Sequence, residues 1–326
     1  MEKVSVIGAG GWGTTLAILL SHSCKVLLWE RFPEYAEILR TKRENPDFLS
    51  GIPLPEKIDI SLSLEEAFST SSLLLLAVPS SHVGTVLSEA KQWYRGQPLL
   101  IATKGLDMKT EQTISSLVID ILKEPLVAVL SGPTIAREVA EGKPTAAVVA
   151  SDSLKVGETF QKLLSSEVLR IYLNTDIRGV ELAGAYKNVI AIGAGIVDGL
   201  NLGINTKSSY LTRGIEEMKN LGYALGGKER TFWGLAGIGD VMTTSFSPLS
   251  RNRSYGEAVA RGRGQQFLSS TKMVVEGLPA ARVFSRLGKR NKVQLPLSEA
   301  VVRIVDQLYD PHTAIRELMA RSLKHE

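Results

Sequence analysis

Cysteine is almost absent from this chain, with Cys24 alone among 326 residues. That excludes a disulfide framework and a thiolate metal cluster, so no metal site is expected and a reducing, cytoplasmic compartment is. Histidine is scarce too. His22, His82, His312 and His325 lie outside the polar clusters described below. None has the carboxylate company that a catalytic histidine needs, which turns the search for a base towards lysine. A secretory leader is not expected, because the opening "MEKVSVIGAG" breaks its apolar stretch with a glycine turn after a few residues. The uncharged run from Asn188 to Val197 falls short of the roughly 20 residues that cross a bilayer. Charge of one sign is not concentrated either. The formal net charge is +4, with Lys and Arg interleaved with Asp and Glu, where a nucleic-acid binder would show a basic stripe. The expectation is a soluble protein with neither nucleic acid nor membrane insertion, whose mild positive excess suits a small anionic substrate.

What is present fits a globular protein long enough for two cores. Val4–Ile7, a glycine turn, the helical "TTLAILLSHS" and the strand Lys25–Glu30 form a β-turn-α-β opening. Further strands are expected at 72–79, 98–104, 126–132, 145–151 and 168–174, with helices at 64–68 and 110–122. Continuous apolar runs of this kind suit a parallel sheet covered on both faces. After about Ile177 the texture changes to long helical patterns with glycine-rich joints. The expected division is residues 1–177 as an α/β unit and 178–326 as an all-helical unit.

Gly8, Gly10 and Gly13 form G-x-G-x-x-G directly after a strand and at the opening of a helix. The first glycine permits the turn, the second lets backbone approach a pyrophosphate, and the third lets helix and strand pack closely. With a second strand ending in an acid about twenty residues on, the pattern identifies a doubly wound, Rossmann-type sheet that binds a nicotinamide dinucleotide. The end of that second strand is ambiguous. Glu30 can accept hydrogen bonds from an adenosine ribose, which selects NAD, whereas Arg31 can pair with the 2′-phosphate of NADP. Use of both is expected, with a lean towards NADPH.

In the second half, Lys187 is the one charge in "LAGAYKNVIAIGAGIV", and Ala183, Gly184, Ala191 and Ala194 share its helix face. Burial of an ammonium lowers its pKa, and a lysine so placed can give or take a proton near neutral pH. A snorkelling or ion-paired lysine is the bland alternative. "WGLAGIGD" delivers Asp240 on a glycine-rich turn, either to orient that lysine or to bind a substrate hydroxyl; otherwise it is a helix cap. "SRNRSYGEAVARG" opens a helix with a hydroxyl, a guanidinium, an amide and free backbone N–H groups, all partners for phosphate or carboxylate. Lys104 and the "SGPTIAREV" turn with Thr134 stand at strand ends, where open α/β sheets bind ligands.

These blocks together resemble bacterial NAD(P)-dependent glycerol-3-phosphate dehydrogenase along nearly the whole chain. "GVELAGAYKNVIAIGAGIVDGL" is the most specific, and "GAGGWGT", "NPDFLSGIPLP", "ATKGL", "SGPTIAREV", "NTKSSYLTRG", "GLAGIGD", "SRNRSYG" and "VVEG" follow the family's order. The resemblance implies reduction of dihydroxyacetone phosphate to sn-glycerol 3-phosphate, feeding glycerophospholipid synthesis, by a homodimer. It implies Lys187 as the general acid–base, Lys104 polarising the carbonyl oxygen and touching the cofactor, and Asp240 holding Lys187 and a substrate hydroxyl, with Thr244 nearby in the same loop. Ser250, Arg251 and Asn252 would bind the substrate phosphate with main-chain groups near Gly132 and Thr134. Gly11 and Trp12 in the glycine loop, Arg31, Phe32, Ala136, Arg251, Val274 and Glu276 would contact the dinucleotide. The rivals are 3-hydroxyacyl-CoA dehydrogenase, which would need a His–Glu pair, 6-phosphogluconate dehydrogenase, and a dinucleotide sensor without catalysis.

Overall fold

The computed structural model describes residues 2–271 and 274–322; His325 lies outside them. The ten strands are β1 (Lys3–Ile7), β2 (Lys25–Trp29), β3 (Glu44–Asn45), β4 (Leu49–Pro53), β5 (Ile58–Ser61), β6 (Leu73–Leu76), β7 (Leu99–Ile101), β8 (Val127–Ser131), β9 (Thr145–Ala150) and β10 (Leu169–Asn174). Eight of them form one sheet in the order β10-β9-β8-β7-β6-β1-β2-β5, and β3 and β4 form a separate antiparallel pair. Consecutive apolar residues fill the inner strands because helices cover both faces: every residue of β6, β7 and β8 is buried. Strand order reverses between β1 and β6, which opens a crevice at their carboxyl ends.

Two features depart from the sequence reading. β5 is an unforeseen edge strand, because "IDIS" is short and carries two apolar positions. β9 runs antiparallel to β8 although parallel to β10. The reason lies in the connection. After β8 the chain stays at the carboxyl edge, where the short helix Ala136–Ala140 packs on the helix Gly11–Ser21, and so it enters β9 from that same edge.

From Ile177 onward the described residues are helical. Helix Ile177–Gly199, capped by the Asp176 carboxylate on the Gly179 N–H at 2.9 Å, runs through the centre. Helices Gly203–Ala224, Asp240–Phe246, Arg251–Ala260 and Gly277–Arg290 surround it. Its length and mean hydropathy of 1.3 would allow a membrane crossing, which the uncharged run alone understated; its apolar window is wholly buried inside the protein. Its small residues serve close packing: a Cβ on Gly195 would overlap the Arg253 carbonyl oxygen, and one on Gly256 that of Ile192.

One buried acid ties this helix to the sheet half. The Glu181 carboxylate accepts from the Ser115 N–H at 2.8 Å and from the Ser115 hydroxyl, at the first turn of helix Ile114–Leu122. Burial raises its pKa from 4.5 to about 7, against the lowering effect of those hydrogen bonds. The folded state therefore keeps a proton that the unfolded chain loses above pH 4.5, so this group's contribution to stability declines between pH 4.5 and about 7. Glu181→Gln is expected to remove that decline. Urea denaturation across pH 5 to 8.5 checks it, and parallel pH profiles for variant and wild type would contradict the assignment.

Candidate active site

The glycine loop sits at the switch point and is shaped for a dinucleotide. Gly8 adopts φ +114°, and a Cβ there would press on the Val78 backbone nitrogen at 2.9 Å. A Cβ on Gly13 would overlap the Gly8 carbonyl oxygen, whereas one on Gly10 would meet open space. Gly11 is covered by the Phe48 carbonyl, 2.8 Å from a would-be Cβ, with the Ala136 methyl at 3.9 Å. Beside it, the buried Trp12 indole N–H has no hydrogen-bond partner among the described residues. An open backbone face on Gly10, a helix N-terminus and an orphaned indole donor fit a dinucleotide's phosphates and ribose.

Sequence reasoning assigned no role to Asn45 in "NPDFLSGIPLP". Its amide donates to the Ala9 carbonyl at 2.8 Å and to Thr14 Oγ1 at 2.7 Å, while its oxygen accepts from the Tyr35 hydroxyl at 2.6 Å and the Phe48 N–H at 3.3 Å. This one buried side chain pins the glycine loop to the segment that covers it.

At the end of β2 the two candidates separate. The Glu30 carboxylate turns back on its own chain, accepting from the Phe32 N–H at 2.9 Å, and burial raises its pKa. Arg31 points outward and pairs with Glu89, and the Phe32 ring beside it is exposed.

The second half converges on β7 and β8. Lys104, three residues past β7, donates from Nζ to the Asp240 carboxylate at 2.6 Å, to the Gly132 carbonyl at 2.8 Å and to Thr134 Oγ1 at 3.2 Å. Lys187 Nζ donates to Thr244 Oγ1 at 2.8 Å and lies 3.2 Å from the other Asp240 oxygen, which also accepts from the Thr244 hydroxyl at 3.0 Å. Asp240, 1% exposed, thus bridges two ammonium groups. It is not delivered on an open turn: Leu235–Gly239 form a π-helical turn, and Asp240 begins the next helix without capping it. Gly184 leaves room for the approach, since a Cβ there would lie 2.7 Å from Ser131 Oγ and 3.8 Å from Lys104 Cγ.

Lys187 is paired, contrary to the picture of an apolar surround, yet its pKa still falls to about 8. Burial drives it down most, Asp240 holds it up in part, and the charges of Lys104 and Arg251 push it further down. Burial alone would raise the Asp240 pKa; the two ammonium groups and the hydrogen bonds from Lys104 and Thr244 hold it below the usual range.

Ser250 caps helix Arg251–Ala260 by accepting from the Arg253 N–H at 3.3 Å. The Asn252 amide oxygen accepts from the Gly277 N–H at 3.0 Å, and its nitrogen donates to Asn188 Oδ1 at 2.8 Å. Asn188, next to Lys187 and unassigned by sequence reasoning, therefore fixes Asn252. Arg251 is exposed and forms no hydrogen bond or ion pair among the described residues, with the Glu276 carboxylate close enough to act on its charge. Glu276 accepts from the Ser80 N–H at 3.0 Å and hydroxyl at 2.6 Å, joining the two halves beside β6. Val274 is 39% exposed nearby in sequence. Among the described residues no cluster of His, Cys, Asp and Glu could hold a metal.

The family described as NAD-dependent glycerol-3-phosphate dehydrogenase matches this chain with its N-terminal part over residues 3–156 and its C-terminal part over 176–316. The chain belongs to that family. Among curated relatives, the glycerol-3-phosphate dehydrogenase [NAD(P)+] of Thermus thermophilus is 44% identical over 99% of this chain and all of its own length. That of Streptomyces griseus is 40% identical over 99% of this chain and 98% of its own. The solved glycerol-3-phosphate dehydrogenase of Coxiella burnetii superposes with a TM-score of 0.95 at 33% identity, covering 98% of this chain and 99% of that one. This dehydrogenase therefore carries its dinucleotide loop and its lysine–aspartate cluster on the two matched halves.

Asn45→Ala removes four hydrogen bonds from the covered glycine loop and leaves buried groups unsatisfied. The dinucleotide dissociation constant is expected to rise about ten-fold, read by fluorescence titration, and unchanged binding would show that the loop holds itself.

Proposed function

We propose that this chain reduces dihydroxyacetone phosphate to sn-glycerol 3-phosphate with NAD(P)H, reversibly, in the cytoplasm, for glycerophospholipid synthesis. One observation carries the reading: a buried carboxylate bridges Lys104 and Lys187, with the unengaged Arg251 close enough to act on the Lys187 charge. That group holds more positive than negative charge, which suits a phosphorylated substrate.

The first 177 residues form the dinucleotide-binding unit and residues 178–326 the catalytic one. Arg251, the helix N-terminus behind Ser250 and the remaining Asn252 N–H hold the phosphate, with main-chain groups near Gly132 and Thr134. Lys104, fixed by Gly132, Thr134 and Asp240, polarises the carbonyl oxygen and touches the cofactor. The bound nicotinamide supplies the hydride in reduction and accepts it in oxidation. Lys187 gives its proton to the carbonyl oxygen in reduction and takes the hydroxyl proton in oxidation, while Asp240 and Thr244 hold it at that atom. Gly8, Gly10, Gly11, Trp12, Gly13, Ala136, Arg31, Phe32, Val274 and Glu276 line the dinucleotide site. NADPH is favoured because Glu30 is engaged by its own backbone, while Arg31, held by the exposed Glu89, can be drawn to a 2′-phosphate. The working form is a homodimer, for which Met242 and Phe246, one turn apart and exposed, with Leu249, offer an apolar face.

A Lys187 pKa of about 8 sets opposite pH limbs. Reduction needs the ammonium and is expected to slow as pH rises through about 8; oxidation needs the free amine and is expected to quicken over the same range. Lys187→Ala should cut kcat by about 10²- to 10⁴-fold in both directions and leave dinucleotide binding intact. Arg251→Ala should raise KM for the triose phosphate by about 10- to 100-fold. Initial rates in both directions across pH 6 to 10 decide the matter. Near-normal turnover without Lys187, or no oxidation of NADPH by dihydroxyacetone phosphate, would refute the reading.

A further inference from the structure

The Arg31 guanidinium is not idle. Its Nη1 and Nη2 donate to Glu89 Oε2 and Oε1 at 3.2 and 3.3 Å, fork to fork. Glu89 comes from the last turn of helix Ser80–Ala90, 58 residues away in sequence. The two side chains are about half exposed, at 48% and 44%. Both line an open cleft of about 480 Å³ together with Trp29, Gln92 and Trp93. There is room for a phosphate beside the pair without moving backbone.

We propose that Glu89 sets the balance between the two dinucleotides by competing with a 2′-phosphate for Arg31. The proposal rests on the reading of Arg31 as the group at the adenosine 2′ position. A phosphate monoester carries a charge of about −1.5 to −2 at neutral pH. To reach the guanidinium it must displace the Glu89 carboxylate or share Arg31 with it against like-charge repulsion. A 2′-hydroxyl meets no such opposition and can donate a hydrogen bond to the same carboxylate. With Glu89 in place the locus is neutral; without it the locus is a free cation. Glu89 therefore penalises NADPH selectively and keeps NADH usable, although Glu30 is not free to bind the ribose.

The test is Glu89→Gln in the full-length enzyme, with initial rates and fluorescence titrations for both dinucleotides. The NADPH kcat/KM is expected to rise about five-fold, the upper range for an exposed ion pair, with a parallel fall in the NADPH dissociation constant and NADH little changed. Glu89→Lys should extend the gain, and salt at about 0.5 M should erase most of it. Equal shifts for both dinucleotides, or no shift, would overturn the competition. Arg31→Ala separates the two levels. If it weakens NADPH while Glu89→Gln does nothing, Arg31 keeps its role and only the part given to Glu89 fails. If it leaves the NADPH-to-NADH ratio unchanged, the placement of Arg31 fails and the proposal with it.

Discussion

The Asp240 carboxylate is the interaction on which the site depends. It is 1% exposed and takes hydrogen bonds or ion pairs from Lys104, Lys187 and Thr244. An isolated carboxylate at that depth would be driven to its neutral form, and two isolated ammonium groups to theirs. Together they keep the aspartate ionised and hold the Lys187 pKa at about 8. The bridge also spans the molecule, since Lys104 leaves β7 of the sheet and Lys187 lies on the central helix. One anion thus aligns the two halves and raises the pKa of the Lys187 amine against its burial.

Close backbone approach is the constraint that makes this possible. Gly184 lets the central helix come down on Ser131 and Lys104, and the close approach of Gly195 to the Arg253 carbonyl and of Gly256 to that of Ile192 brings the Arg251 helix against the same core. Larger residues would hold the N-terminus of helix Arg251–Ala260 away from Lys187. At the other end, Gly8 and Gly13 bring the first helix against β1, and Asn45 clamps a cover over the loop. The cover is a side-chain hydrogen-bond network over an irregular segment, and such networks leave no periodic trace in sequence.

This difference explains what was legible. The inner strands were readable because burial on both faces demands unbroken apolar runs, and Gly8 and Gly13 because a Cβ is excluded there. Lys187 stood out as a charge in an otherwise uncharged helix. The antiparallel turn of β9 was not readable, because it depends on where helix Ala136–Ala140 docks rather than on β9's own residues. Nor were Asn45 and Asn188, whose partners lie up to 36 and 64 residues away. Glu30 and Arg31 were legible as a pair of alternatives, but the partner of Arg31, Glu89, was not, because it comes from a helix 58 residues away with nothing local to mark it.

Lysine can serve as the acid–base here because the site works its pKa from both sides. Burial and the neighbouring cations pull it down from 10.5, and Asp240 pulls it up, so it settles near 8. Had burial acted alone, the amine would be neutral and could not donate a proton; had Asp240 acted alone, the ammonium would be held too firmly to accept one. A bound phosphate would add negative charge beside Arg251, partly cancelling a cation that lowers the Lys187 pKa. On the proposed mechanism, substrate binding would move the amine towards its charged form, the form that reduction consumes. Binding and proton supply are coupled through the same few charges.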